Sequence, residues 1–241
     1  MLPLRCSPRA RVNLTLDLMN TSRFDDFEKF VDNELLPAVT DIGKLADANR
    51  KHVQKLVYTN LVDRFDAMID GAILDNCRRE HLVEEAMKGM TQSVTEADVI
   101  RLLLEGASLQ DAIDHRLKDV LRLAVLRQRH SKKLQTLFKV LKPDDNCWSK
   151  PRVNPATGAI LASITPQQKS LPYSICGYAD WVYSRRNSVV HGAGTSKLLA
   201  NDVKQLTALF NVKPAATFKI KLSSINNLAT FYQSIVHLLT A

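Results

Sequence analysis

Aromatic residues make up only 6% of this chain, and glycine and proline are sparse, at 8 and 9 of 241 residues. Sandwiches and barrels need turn glycines and prolines together with aromatic and β-branched strands, so this composition argues against them. It favours helices built from Leu, Ala, Lys, Arg, Asp and Glu. No apolar run approaches the roughly 20 residues of a membrane span, and Leu2-Pro3-Leu4-Arg5 is too short and interrupted for the core of a secretion signal. No membrane partner is expected. The cysteines Cys6, Cys77, Cys147 and Cys176 lie far apart, without a C-x2-C pair or a His at ligand spacing. They read as reduced thiols of a cytoplasmic protein. A P-loop, a G-x-G-x-x-G turn, an H-E-x-x-H helix and a nucleophile elbow are all lacking, so neither a metal nor a cofactor is expected.

Positive charge is what the chain has in excess. A net charge of +8 and a pI near 9.4 suit an anionic partner, most simply RNA or DNA. Residues 1–18 carry Arg5, Arg9 and Arg11 with little periodicity and read as a flexible arm, with Met19 an alternative start. Residues 19–241 read as one all-α domain.

Thr21 or Ser22 is positioned to cap a first helix that Pro37 interrupts or ends near Leu36. From Asp47 to about Cys77, apolar residues from Val53 to Ile73 recur every three or four positions and predict a core helix. A short helix over Glu80–Met90 follows. Thr95-x-x-Asp98 and Ser108-x-x-Asp111 mark two further helix starts, separated by Glu105-Gly106-Ala107. The second of these predicts one long central helix from Leu109 to about Leu141. Between Arg116 and Lys142 it carries nine basic residues against one acid, Asp119. Two readings stand: a solvated face whose long stems cover apolar neighbours, or a phosphate-tracking stripe that includes Arg127, Arg129, Lys132 and Lys133.

Residues 143–170, with four prolines, predict a long loop containing a short hairpin near Ile160–Ile164, anchored by Trp148. After a helix that ends near His191 come the loose turn 193–196, a helix over Asn201–Phe210, a brief strand over Thr217–Leu222 and a last helix from Ser223 or Ser224.

The helix beginning near Leu171 carries the chemistry. At about 100° per residue, Ile175, Ala179, Val182, Val189 and Val190 form an apolar stripe, and Asp180, Ser184, Asn187 and His191 a polar one. Arg186 falls within the apolar stripe, where a guanidinium must be paired or face a cleft. The run Arg186-Asn187-Ser188-Val189-Val190-His191, with Gly192 after it, resembles the R-x4-6-H motif of the HEPN superfamily. That resemblance implies a dimerising helical bundle that brings two motifs to one cleft, and in many members a metal-independent endoribonuclease. It covers the motif helix and, loosely, its neighbours. It leaves a region of about 91–170 as an insertion.

The implied roles are proton transfer for His191, whose unperturbed pKa is near 6.5, and phosphate binding for Arg186. Asn187 would position the phosphate or orient His191, with Tyr183, Ser184 and Arg185 as secondary RNA contacts. In a straight helix Arg186 and His191 point about 140° apart, so two copies across a homodimer, or unwinding at Gly192, would be needed to make one site. The plainer alternatives are His191 as a C-terminal cap and Arg186 as the partner of Asp63 or Asp66. The resemblance favours the site, and with it a toxin or antiviral effector held by a neutralising protein or antitoxin. A non-catalytic adaptor or an RNA-binding helical protein is the competing class.

Overall fold

The computed structural model describes residues 21–90, 95–104, 108–164, 170–192 and 196–241, and the expectations for the arm 1–18 and for residues 105–107 and 193–195 fall outside them. Its elements are α1 (Ser22–Phe30), α2 (Leu36–Ile42), α3 (Asp47–Asp75), α4 (Glu80–Gly89), α5 (Glu96–Leu104), α6 (Leu109–Ala124), α7 (His130–Leu141), α8 (Ile175–His191), α9 (Ala200–Phe210) and α10 (Leu222–Thr240). The fold is all-α, and only isolated β-bridges occur among the described residues. No described helix is long and apolar enough to cross a membrane.

The core gathers around α3, which lies against α1, α7, α8 and α10. Tyr58, Leu61, Val62, Phe65, Ile69, Ala72 and Ile73 are fully buried along it. Phe65 stacks on Tyr232 of α10 with ring centres 3.7 Å apart, and Phe27 of α1 meets both rings edge-on. The same apolar cluster continues through Leu82 and Ala86 of α4, Leu117 and Leu121 of α6 and Leu134, Leu137 and Phe138 of α7.

Pro37 does not end the first helical stretch. It sits at the start of α2, behind a widened π turn over Val31–Leu35 in which the Leu36 N–H reaches back five residues to the Val31 carbonyl. That widening lets the chain continue past a residue with no N–H to give.

The expected central helix is two helices. The chain leaves α6 at Val125 and restarts at Arg129, which caps α7 in extended conformation at ψ 150°. No glycine or proline marks the break. Tertiary contacts account for it: Val125 is buried, while Arg129, His130 and Lys133 reach carboxylates on α8 and α3.

The hairpin-like turn lies earlier than expected, with Asn154 bonded to Ala159 and Leu161 to Arg152, and it closes on one bridge, Val153 to Ile160. Gly158 adopts φ +77° there, and a Cβ would collide with the Asn227 carbonyl of α10. Residues 217–222 likewise form no strand. Thr217 makes a lone bridge to Lys197. Trp148 is half-buried against the core.

Candidate functional site

Helix α8 begins four residues later than Leu171, at a capped start where Ser174 Oγ accepts from the Gly177 N–H at 3.1 Å. It ends at His191, and Gly192 closes it at φ −92° with its N–H on the Ser188 carbonyl. The helix stays wound to its last residue, so nothing turns His191 towards Arg186. Neither a hydrogen bond nor an ion pair joins these two side chains among the described residues. One chain does not bring the two halves of the motif together.

Arg186 is four-fifths buried and paired. Its Nε donates to Asp63 Oδ1 of α3 at 2.7 Å, its Nη1 to Asn187 Oδ1 at 3.3 Å, and its Cζ lies 5.7 Å from the centre of the Tyr183 ring. Burial alone would lower its pKa, but Asp63, with Tyr183 and Asp66, outweighs burial and the pKa is raised. The partner is open to water: the Asp63 side chain is 47% exposed. This is the plainer pairing considered for Arg186.

On the polar face the motif meets α9. The Leu199 N–H donates to Ser188 Oγ at 3.1 Å, which ties the start of α9 to the last turn of α8. Asp202 lies in the first turn of α9, and Asn187 and His191 of α8 both favour its charged form. Arg129 completes the arrangement from α7, with Nε 2.7 Å from Asp180 Oδ2 and Nη1 3.9 Å from Asp202 Oδ1. Burial pushes the Asp202 carboxyl up, and Asp180 adds to that rise against Arg129, Asn187 and His191. The His191 side chain is exposed.

A second charged cluster lies on the α3 side. The Asp66 carboxylate receives His130 Nδ1 at 2.7 Å and Lys133 Nζ at 2.6 Å, and Lys133 also reaches Asp70 at 2.7 Å. Burial pushes Asp66 up, but His130 and Lys133 overcome it and hold the carboxyl at about 2. Asp70, touched by Lys133 and repelled by Asp66, is raised, chiefly by burial. Tyr183 stacks on His130 with ring centres 4.9 Å apart, so the cluster runs up to the underside of Arg186.

Several of the expected RNA contacts are therefore committed elsewhere. Ser184 is fully buried and its hydroxyl donates to the Asp180 carbonyl. Arg185 is buried among Tyr58, Trp181 and Phe218 and donates to the Lys219 carbonyl at 2.8 Å. Lys133 is buried on its two aspartates, and Arg129 serves Asp180 and Asp202. The continuous basic stripe is reduced by both, because these side chains answer internal carboxylates instead of solvent. Arg127 and Lys132 remain exposed, Lys132 with a hydrogen bond to Gln135.

Asp202 escaped the sequence reading. An acid in a helix's first turn is ordinary dipole chemistry, and only the fold shows that α9 packs on α8 and buries it near Arg129. No family model, curated protein or solved structure matches the chain.

Proposed function

We propose that this chain is a metal-independent endoribonuclease of HEPN type, acting as a homodimer in the cytoplasm as a toxin or antiviral effector. Attack of the RNA 2′-oxygen on the adjacent phosphorus would break the bond to the 5′-oxygen. His191 would take the 2′-hydroxyl proton or return one to the leaving 5′-oxygen. Arg186 would hold the phosphate, whose charge grows towards the phosphorane. Asn187, between them in sequence and already bonded to Arg186, would fix the phosphate's orientation.

The observation that carries this reading is the combination at the end of α8: an exposed His191, and an Arg186 whose partner carboxylate is open to solvent. A phosphate offers two oxygens to the guanidinium fork and can compete with an exposed carboxylate for it. The divergence of Arg186 and His191 on a wound helix favours a composite site, in which one protomer supplies Arg186 and its partner His191. Exposed Val190, beside His191, supplies apolar surface for that contact.

The Arg186–Asp63 pair favours one rival, a non-catalytic adaptor in which Arg186 only joins α8 to α3. Product ends separate the two. A ribonuclease of this kind leaves a 2′,3′-cyclic phosphate and spares DNA; an adaptor leaves both intact.

A further inference from the structure

We infer that Lys197, Lys219 and Lys221 form a cationic ridge on which the RNA backbone lies as it reaches the end of α8. The ridge is a substrate surface for the nuclease read above and rests on that reading.

Charge is divided unevenly along the chain. Residues 146–241 hold ten Lys and Arg but only two acids, Asp180 and Asp202, and both acids are buried. Protein surfaces ordinarily intersperse the two signs, so a stretch of this length with no exposed acidic side chain presents an unrelieved positive face.

The backbone brings the three lysines to one side. Lys197 and Thr217 form an antiparallel bridge, with the Leu198 N–H on the Ala216 carbonyl at 3.0 Å and the Phe218 N–H on the Ser196 carbonyl at 2.8 Å. In a pair bonded through its neighbours in this way, the two facing side chains stand close together on one side. From Thr217 onwards exposure alternates. Thr217, Lys219 and Lys221 are exposed, while Phe218 lies against the Arg185 guanidinium and Ile220 packs on the core. Lys219 and Lys221 therefore follow Thr217 on the outer side, the side that Lys197 shares. Among the described residues no carboxylate pairs with any of the three. Beneath them Arg185 donates to the Lys219 carbonyl at 2.8 Å, with its Nε enclosed and without a partner. A guanidinium held by aromatic rings and a carbonyl keeps its full charge, which adds to the ridge above it.

The ridge is fixed to the motif helix. Leu199, two residues after Lys197, donates its N–H to Ser188 Oγ of α8 at 3.1 Å, so the lysines start beside the helix end that carries Arg186 and His191. RNA fits this surface better than a lipid bilayer does. Lysines are hydrated point charges that hold phosphate without reading bases, whereas membrane-binding surfaces interleave them with large apolar side chains. No exposed large hydrophobic residue occurs at 196–199 or 210–221.

The test uses the full chain and a fluorescein-labelled 2′-O-methyl RNA, which cannot be cut, followed by anisotropy over a range of salt. Lys197→Gln, Lys219→Gln and Lys221→Gln are combined in one variant. A control of equal charge combines Lys29→Gln, Lys44→Gln and Lys51→Gln, whose lysines pair with aspartates of α1, α2 and α3. At about 0.1 M salt the ridge variant is expected to bind about 10- to 100-fold more weakly and to lose about 2 from the slope of log K against log salt, since a single strand releases about 0.7 counterion per contact. The control should stay close to wild type. With unmodified RNA the ridge variant should show a raised KM. Equal losses in the two variants overturn the inference, as does a wild type that binds phosphatidylserine vesicles and no RNA. Ridge-dependent binding in a wild type that cuts no unmodified RNA upholds the ridge and overturns the nuclease reading; cleavage with KM unchanged in the ridge variant does the reverse.

Discussion

Asp63 Oδ1 and Arg186 Nε face each other at 2.7 Å, the first on an exposed turn of α3 and the second on the buried side of α8. A pair with one partner half in water contributes only about 0–1 kcal/mol. It shields the guanidinium without locking it away.

That weakness can be measured. Asp63→Asn should leave the melting temperature within a few degrees of wild type and tighten binding of RNA, because Arg186 then meets phosphate with no internal competitor. Calorimetric affinities that fall, or do not change, return Arg186 to a purely structural role.

A different balance holds at Asp66. Its folded pKa of about 2 lies below the unfolded value of about 3.9, so its stabilisation is full above the unfolded pKa and is lost as pH falls through about 2. The shift corresponds to about 2–3 kcal/mol at neutral pH. Asp66→Asn also takes a carboxylate from the buried Lys133 ammonium and should cost about 3–5 kcal/mol. Urea unfolding at pH 7 and near pH 2.5 checks this: the gap between variant and wild type should narrow in acid, and a constant gap contradicts it.

Along α7 and the turn before it, neighbouring basic residues should behave in opposite ways. Arg127→Glu with Lys132→Glu should weaken RNA binding and flatten its salt dependence, each lost phosphate contact lowering the slope by about one. Lys133→Ala should instead destabilise the fold, since it leaves Asp66 and Asp70 short of their shared cation. Equal salt slopes for wild type and the double variant would assign Arg127 and Lys132 to an ordinary solvated face.

Assembly gives a genetic-style test of the composite site. Light scattering should find a dimer at micromolar concentration. Co-refolded Arg186→Ala and His191→Ala chains, each inactive alone, should recover part of the activity, since half of their mixed sites carry both residues. A monomer, or no recovery in a mixed dimer, removes the shared cleft.

The helical pattern was legible where periodicity was strong. The apolar spacing from Val53 to Ile73 marks α3, and Ser108 with Asp111 caps α6 as expected. The break before Arg129 was not, because its cause lies in carboxylates of α3 and α8 remote in sequence. Arg186 was legible as a charge needing a partner, and Asp63 supplies one. Arg185 and Ser184, its neighbours, looked like contacts by proximity alone; the helical turn sends both inward. Asp202 was hidden because its meaning depends on how α9 packs against α8.

The most direct measurement follows turnover of a structured RNA in EDTA by wild type, Arg186→Ala and His191→Ala, with folding checked by circular dichroism. A nuclease built on this site cuts in EDTA and loses about 10²–10⁴-fold in each folded variant. Cleavage that stops with EDTA, or that continues at wild-type rate in both variants, contradicts it.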